Sequence, residues 1–139
     1  MLNDLSSAVY KAFNDALSGK IKLDGFEVPI YTLNADTSTL PEWVFISQFE
    51  QNPASTKLNF GSRCSLLLSI YVASDDMMRA AAISNLILNT LYSSKIAVVE
   101  IESHPMVVLN EPNVTERTVY ESDRIYSVKD IRLQMLIYQ

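Results

Sequence analysis

Apolar side chains recur every three or four residues at Leu2, Leu5, Val9, Ala12, Phe13, Ala16 and Leu17, which lays one stripe along a helix. Gly19 follows where a left-handed stop is wanted. After a short basic link, Lys20 to Lys22, and a turn signal at Asp24-Gly25, Phe26 to Tyr31 reads as a strand. Pro29 inside it has no N–H to donate, so this strand is expected at a sheet edge. Thr32 to Pro41 is a loop of Thr, Ser, Asn and Asp, and Trp43 to Phe49 alternates well enough for a second strand. Glu50 to Ser62 has few apolar anchors and is expected to form a long exposed excursion, a mobile hairpin arm spanning 50–62.

The clearest strand comes next. Cys64, Leu66, Leu68, Ile70 and Val72 point one way, while Arg63, Ser65, Leu67, Ser69 and Tyr71 point the other. Ser74-Asp75-Asp76 then supplies an N-cap and early acids that suit a helix dipole, and Met77 to Tyr92 continues without Gly or Pro. The stripe of that helix is Ala80, Ile83, Ile87 and Leu91, widened by Leu86 and Leu88. Ile96 to Ile101 and Met106 to Leu109 read as short strands on either side of His104-Pro105. Tyr126 to Tyr138 is a long last strand, with Ser127, Lys129, Ile131, Leu133, Met135 and Ile137 alternating against the remaining positions. Short links make consecutive strands pair as hairpins and leave the helices together. The expectation is a single α+β domain over residues 1–139: a mostly antiparallel sheet with two helices packed on one face.

Charge narrows the partners. The formal net charge is −5, a balance that repels phosphate backbones and lacks the basic footprint of nucleic-acid binders. Much of the acid is local: Glu100, Glu102, Glu111, Glu116, Glu121 and Asp123 stand against Arg117 alone between Val98 and Asp123. That run is either a solvated series of loops and strand edges or a surface facing a basic partner or a passing anion. A single cysteine, Cys64, rules out an internal disulfide and any multi-cysteine zinc site. No stretch approaches 18 consecutive apolar residues, and Met1-Leu2-Asn3-Asp4 lacks the basic and apolar regions of a signal peptide. The chain is therefore expected in the cytoplasm, with no membrane contact, unless assembly carries it elsewhere.

Catalytic signatures are sparse. The only glycines are at 19, 25 and 61, too far apart for a dinucleotide fingerprint or a phosphate-cradling loop. His104 is the only histidine, which removes paired-histidine metal motifs and leaves a lone loop residue before proline as the sole base for a nucleophile. Asp75-Asp76 is explained by helix capping, and Glu100 with Glu102 by a solvent-facing alternation. No catalytic residue, cofactor or metal is assigned, and the chain is read as a binding protein rather than an enzyme.

Met77 and Met78 are expected to pack in the core, whereas Tyr71 and Tyr138 sit on strand faces shared with polar neighbours. The two longest strands also carry Leu67, Val128 and Leu136 on their second face, more apolar surface than water-exposed faces usually hold. A neighbouring subunit is the expected cover. Candidate interface residues are Gln51, Asn52, Lys57 and Asn59 on the polar arm, and Leu67, Tyr71, Leu136 and Tyr138 on the strands.

In layout the chain resembles the tail-terminator or tail-completion proteins of long-tailed, siphovirus-type phages. The matching features are the helix Leu2 to Leu17, the strand ending Val28-Pro29-Ile30-Tyr31, and the stretch Pro41-Glu42-Trp43-Val44-Phe45-Ile46 with its proline leading into an apolar strand. Cys64 to Val72 running directly into the helix Met77 to Tyr92, and the closing strand Ile131 to Tyr138, complete the likeness. Low glycine content and the long acidic stretch depart from that pattern. The resemblance implies a homo-oligomeric ring, usually of six copies, that caps the tail tube, ends its polymerisation and presents a docking surface to the head. Its partners would be itself, the tail tube protein and a head-completion or connector protein, first in the host cytoplasm and then in the virion. Glu100, Glu102, Glu111 and Glu116 are the candidate acids for a lumen through which DNA passes without sticking. A head-completion or neck protein is the competing reading within the virion, and a small-molecule-binding α+β module the competing one outside it.

Overall fold

A computed structural model describes residues 4–32, 40–53, 61–92, 106–121 and 123–138. Its elements are α1 (Ser6–Leu17), β1 (Lys22–Leu23), β2 (Phe26–Glu27), β3 (Ile30–Thr32), β4 (Glu42–Pro53), β5 (Gly61–Val72), α2 (Met77–Leu91), β6 (Met106–Leu109), β7 (Asn113–Glu121) and β8 (Arg124–Tyr138). The main sheet runs β3-β4-β5-β8-β6, with β7 also paired to β8. Among these strands only β3 on β4 is parallel. The fold is α+β, as the sequence predicts, and the sheet is mixed but mostly antiparallel.

Pro29 breaks the strand expected over Phe26 to Tyr31. Phe26–Glu27 folds back on Lys22–Leu23, Val28 N–H bonds to the Ile21 carbonyl at 2.8 Å, and only Ile30–Thr32 reaches the main sheet, at its edge. The β1–β2 hairpin turns on Asp24 and Gly25, at φ 54° and 83°, the pair of left-handed residues that an Asp-Gly hairpin turn requires.

The excursion expected at 50–62 is narrower. Glu50 to Pro53 pairs with Ser62 to Ser65, so both flanks belong to the sheet and only residues 54–60 lie outside the description. Backbone ladders form whatever the side chains, and here Glu50, Asn52 and Arg63 face water while Gln51 bonds to Ser62. The register shifts between Ser47 and Glu50, and Gln48 stands at φ 52°. This bulge inserts one residue and reverses the phase of the strand beyond it. β7 is a strand that the apolar pattern does not announce. Eight of its nine residues are exposed, so it carries no buried alternation to read. The strand expected at Ile96 to Ile101 lies outside the described residues.

Both helices cover one face of the sheet. Val9, Phe13 and Leu17 of α1 and Ala80, Ile83, Ile87 and Leu91 of α2 pack with Val44, Ile46, Leu66, Leu68, Ile70, Ile131 and Leu133 in one cluster. Met77 packs against it, but Met78 is 84% exposed, contrary to the core role expected for both. Asp76 caps α2, its carboxylate accepting the Arg79 N–H at 3.0 Å. At the start of α1 the Asp4 carboxylate accepts the Ser6 N–H at 2.9 Å, and Gln51 Oε1, from β4, accepts the Leu5 N–H at 3.0 Å.

Candidate functional site

Among the described residues, the opposite face of the sheet carries no helix. Cross-strand partners share a face, so the pairs Trp43 with Tyr71, Leu67 with Arg132, Ser69 with Asp130, Arg63 with Leu136 and Arg117 with Val128 all lie on it. At one end Trp43 and Tyr71 stack with ring centroids 5.1 Å apart and planes 7° from parallel, and Tyr126 meets Trp43 edge-on at 5.5 Å. Arg117 sits 5.7 Å above Tyr71, and Arg124 5.4 Å above Tyr126. Trp43, Tyr126 and Val128 are buried, with Tyr31, Leu40, Phe45, Ala73 and Val119 packed around them.

That small second core corrects one expectation. Part of the spare apolar surface on this face is covered by the chain itself, because aromatic rings from β4, β5 and β8 pack against one another there. Leu67 is already 8% exposed and Tyr71 half-buried in the single chain.

Polar groups link the middle of the face. Asp130 accepts hydrogen bonds from Arg117 Nε and Ser69 Oγ, each at 2.7 Å, and Arg117 Nη2 reaches the Tyr71 hydroxyl at 3.1 Å. The Asp130 hydrogen bond raises the Arg117 guanidinium above its ordinary range, against the desolvation that opposes it. Arg132 Nη2 donates to Gln48 Oε1 at 3.0 Å, which uses the side chain that the bulge turned outward. Four of the chain's five arginines, at 63, 117, 124 and 132, thus stand on this face in a protein of net charge −5.

Beyond the network lies a hollow of about 270 Å³, lined by Glu50, Asn52, Arg63, Ser65, Asn110, Gln134 and Leu136, with Cys64 and Met135 at its floor. The Ser65 hydroxyl is buried there without a hydrogen-bond partner among the described residues. A second cleft, of about 520 Å³, opens at the far end of the sheet between Phe26, Pro29, Leu40, Pro41, Val72 and Ala73, beside the Arg79 and Glu42 ion pair. Among the described residues no group of three or more His, Cys, Asp or Glu side chains is placed to hold a metal ion. No described helix is long and apolar enough to cross a membrane.

The residues singled out from the sequence scatter across these surfaces. Asn52 and Leu136 line the smaller hollow, and Tyr71 belongs to the stacked network. Gln51 turns instead to the helix side, where it meets Leu5 and Ser62. Tyr138 pairs with Gly61 along the backbone, and its side chain is not described. Lys57, Asn59, Glu100, Glu102 and His104 lie outside the described residues. Glu111 is exposed, whereas Glu116 is held by Lys129 at 2.9 Å. Trp43, Arg117, Arg132 and Asp130 join the face without having stood out in the sequence. For Asp130 and Arg132 the signal was the alternation of Tyr126, Val128, Asp130, Arg132 and Leu136, a mixture of charged and apolar groups on one strand face.

The same architecture occurs among solved structures. The chain superposes on one from the virion of a native gene transfer agent particle with TM-score 0.72 and 13% sequence identity, covering 99% of this chain and 100% of that one. The chain shares its fold with a virion protein. A second solved chain aligns with TM-score 0.54 and 16% identity over 96% of this chain and 95% of its own length. A sheath/tube terminator of an extracellular contractile injection system, in its extended state, aligns at TM-score 0.49 and 12% identity, covering 100% of this chain and 58% of that one; that score falls short of a shared fold. No protein-family model and no curated protein sequence matches the chain. At 13% identity the likeness to the virion chain is one of backbone architecture, carried by the element order and sheet described above.

Proposed function

We propose that this chain is a tail-terminator-type structural protein of a phage-like particle: six copies close into a ring that caps the tail tube, ends its polymerisation and offers the head a docking surface. The observation that carries the reading is the sheet face left open by the helices, where arginines, tyrosines and leucines stand in the mixture that protein interfaces favour. Whole-chain fold likeness to a virion chain supports it. Arg117 and Asp130 are bonded to each other and to Tyr71 and Ser69, an arrangement that braces a surface.

The subunit works by presenting this face to tail components and by joining copies of itself, and it resides in the particle at the head-proximal end of the tail. Acids of the stretch before β8 face the passage taken by DNA, and Glu111 among them is exposed. The decisive experiment is deletion of the gene in a particle-producing host, followed by electron microscopy. Tails of uncontrolled length are the expected result, and tails of normal length without heads would replace this reading with a neck role. Reversing Glu100, Glu102, Glu111 and Glu116 together should leave assembly intact and slow DNA ejection.

A further inference from the structure

The β7–β8 hairpin runs past the end of the sheet. Ser127 is the last β8 residue paired with β5, so Arg124, Ile125 and Tyr126 pair with β7 alone, an overhang of about 10 Å at 3.3 Å per residue. At its tip Tyr120 and Ile125 face each other across the ribbon and are 77% and 41% exposed. Glu121 and Asp123 are exposed beside them and make no ion pair among the described residues. The described residues of its own chain leave Tyr120 largely bare and cover Ile125 only in part.

The groups that would match this tip lie in the smaller hollow of the open face. Arg63 is exposed with no ion-pair partner among the described residues, Leu136 is half-buried, and the Ser65 hydroxyl lacks a hydrogen bond within the same set, with Glu50 at the rim. The tip cannot reach this hollow in its own molecule. Ile125 and Leu136 stand eleven residues apart on the same strand, about 35 Å at 3.3 Å per residue.

We infer that the β7–β8 tip of one copy docks in the hollow of a neighbouring copy, with Tyr120 and Ile125 against Leu136, the Tyr120 hydroxyl toward Ser65, and Glu121 and Asp123 beside Arg63. The contact joins two different patches of the same chain, so it is heterologous, and repetition by a rotation that closes gives a ring. The inference rests on the ring reading and supplies the surfaces that close it.

The test measures mass by light scattering on the purified protein across concentration, with circular dichroism as a check on folding. Tyr120→Ser with Ile125→Ser, and separately Arg63→Glu, alter exposed positions and should each reduce the wild-type assembly to the 15.6 kDa monomer without loss of folded signal. Combining Arg63→Glu with Glu121→Lys and Asp123→Lys should restore the assembly. If the wild type forms a ring and these variants do too, the docking is wrong and the ring reading stands. If the wild type stays monomeric at high concentration, both fall.

Discussion

Arg79 grips Glu42 with two hydrogen bonds, Nε to Oε2 and Nη2 to Oε1, the latter at 2.8 Å, and the Glu42 side chain is only 8% exposed. The same guanidinium reaches Asp24 Oδ2 at 3.0 Å, so one side chain ties the start of α2 to the start of β4 and to the β1–β2 turn. These bonds hold the Arg79 guanidinium well above its ordinary range, chiefly through Glu42. Removing one partner of such a pair leaves the other without compensation. Arg79→Met is expected to lower stability by about 3 kcal/mol, and Asp24→Asn, at a carboxylate 72% exposed, by less than about 1 kcal/mol. Urea unfolding at neutral pH measures both, and equal losses would mean that the Glu42 arm is no better shielded than the Asp24 arm.

Gln51 acts across the fold as the acceptor for the Leu5 N–H, one residue before α1, and its amide also donates to Ser62 Oγ at 3.2 Å. Gln51→Ala should cost about 1 kcal/mol and loosen the first turn of α1. Amide exchange at Leu5 and its neighbours would speed up before any change at Phe13. Unaltered exchange at Leu5 would show that the backbone there has another partner.

The two faces of the sheet should respond differently to truncation. Leu68, fully buried on the middle strand, packs beneath both helices, so Leu68→Ala is expected to cost about 3 kcal/mol. Leu136 is half-buried on the open face, and Leu136→Ala should cost under about 1 kcal/mol. Denaturant midpoints with unchanged slopes separate the two.

Cys64 is 3% exposed, and burial pushes its thiol up to about 11 from an ordinary 9.0. The native thiol should therefore react with a neutral disulfide reagent at pH 8 at least about tenfold more slowly than the unfolded chain. Linkage gives the sign of the pH effect. Below pH 9 both states keep the proton, whereas between about 9 and 11 only the unfolded thiol ionises, so this group's contribution to stability falls as pH rises through that window. Cys64→Ser should flatten that part of the profile.

Where one face of an element is buried and the other is not, the sequence was legible: α1, α2, β5 and the inner half of β8 follow their apolar periods, and Gly19 and Asp24-Gly25 punctuate as expected. β7 escaped because exposure on both sides removes the alternation that marks a strand. The bulge at Gln48 hid the orientation of the residues beyond it, since one extra residue sends Gln51 to the helix side and Glu50 to the open face. The bracing of the open face was hidden for a further reason. Arg117 meets Asp130 only because β7 and β8 pair in the register Glu116 with Lys129 and Arg117 with Val128, which no local pattern announces.

β8 touches β5 on one side and both β6 and β7 on the other, and its side chains feed the helix-covered core and the open surface in turn. Losing a single residue near Ile131 would trade the two sets downstream, driving Arg132 and Gln134 under the helices and laying Leu133 and Met135 bare. β4 absorbs an insertion because little of its outer edge is engaged, but β8 is a central spine with no slack. Among relatives, changes of length should gather in the connections and spare this strand.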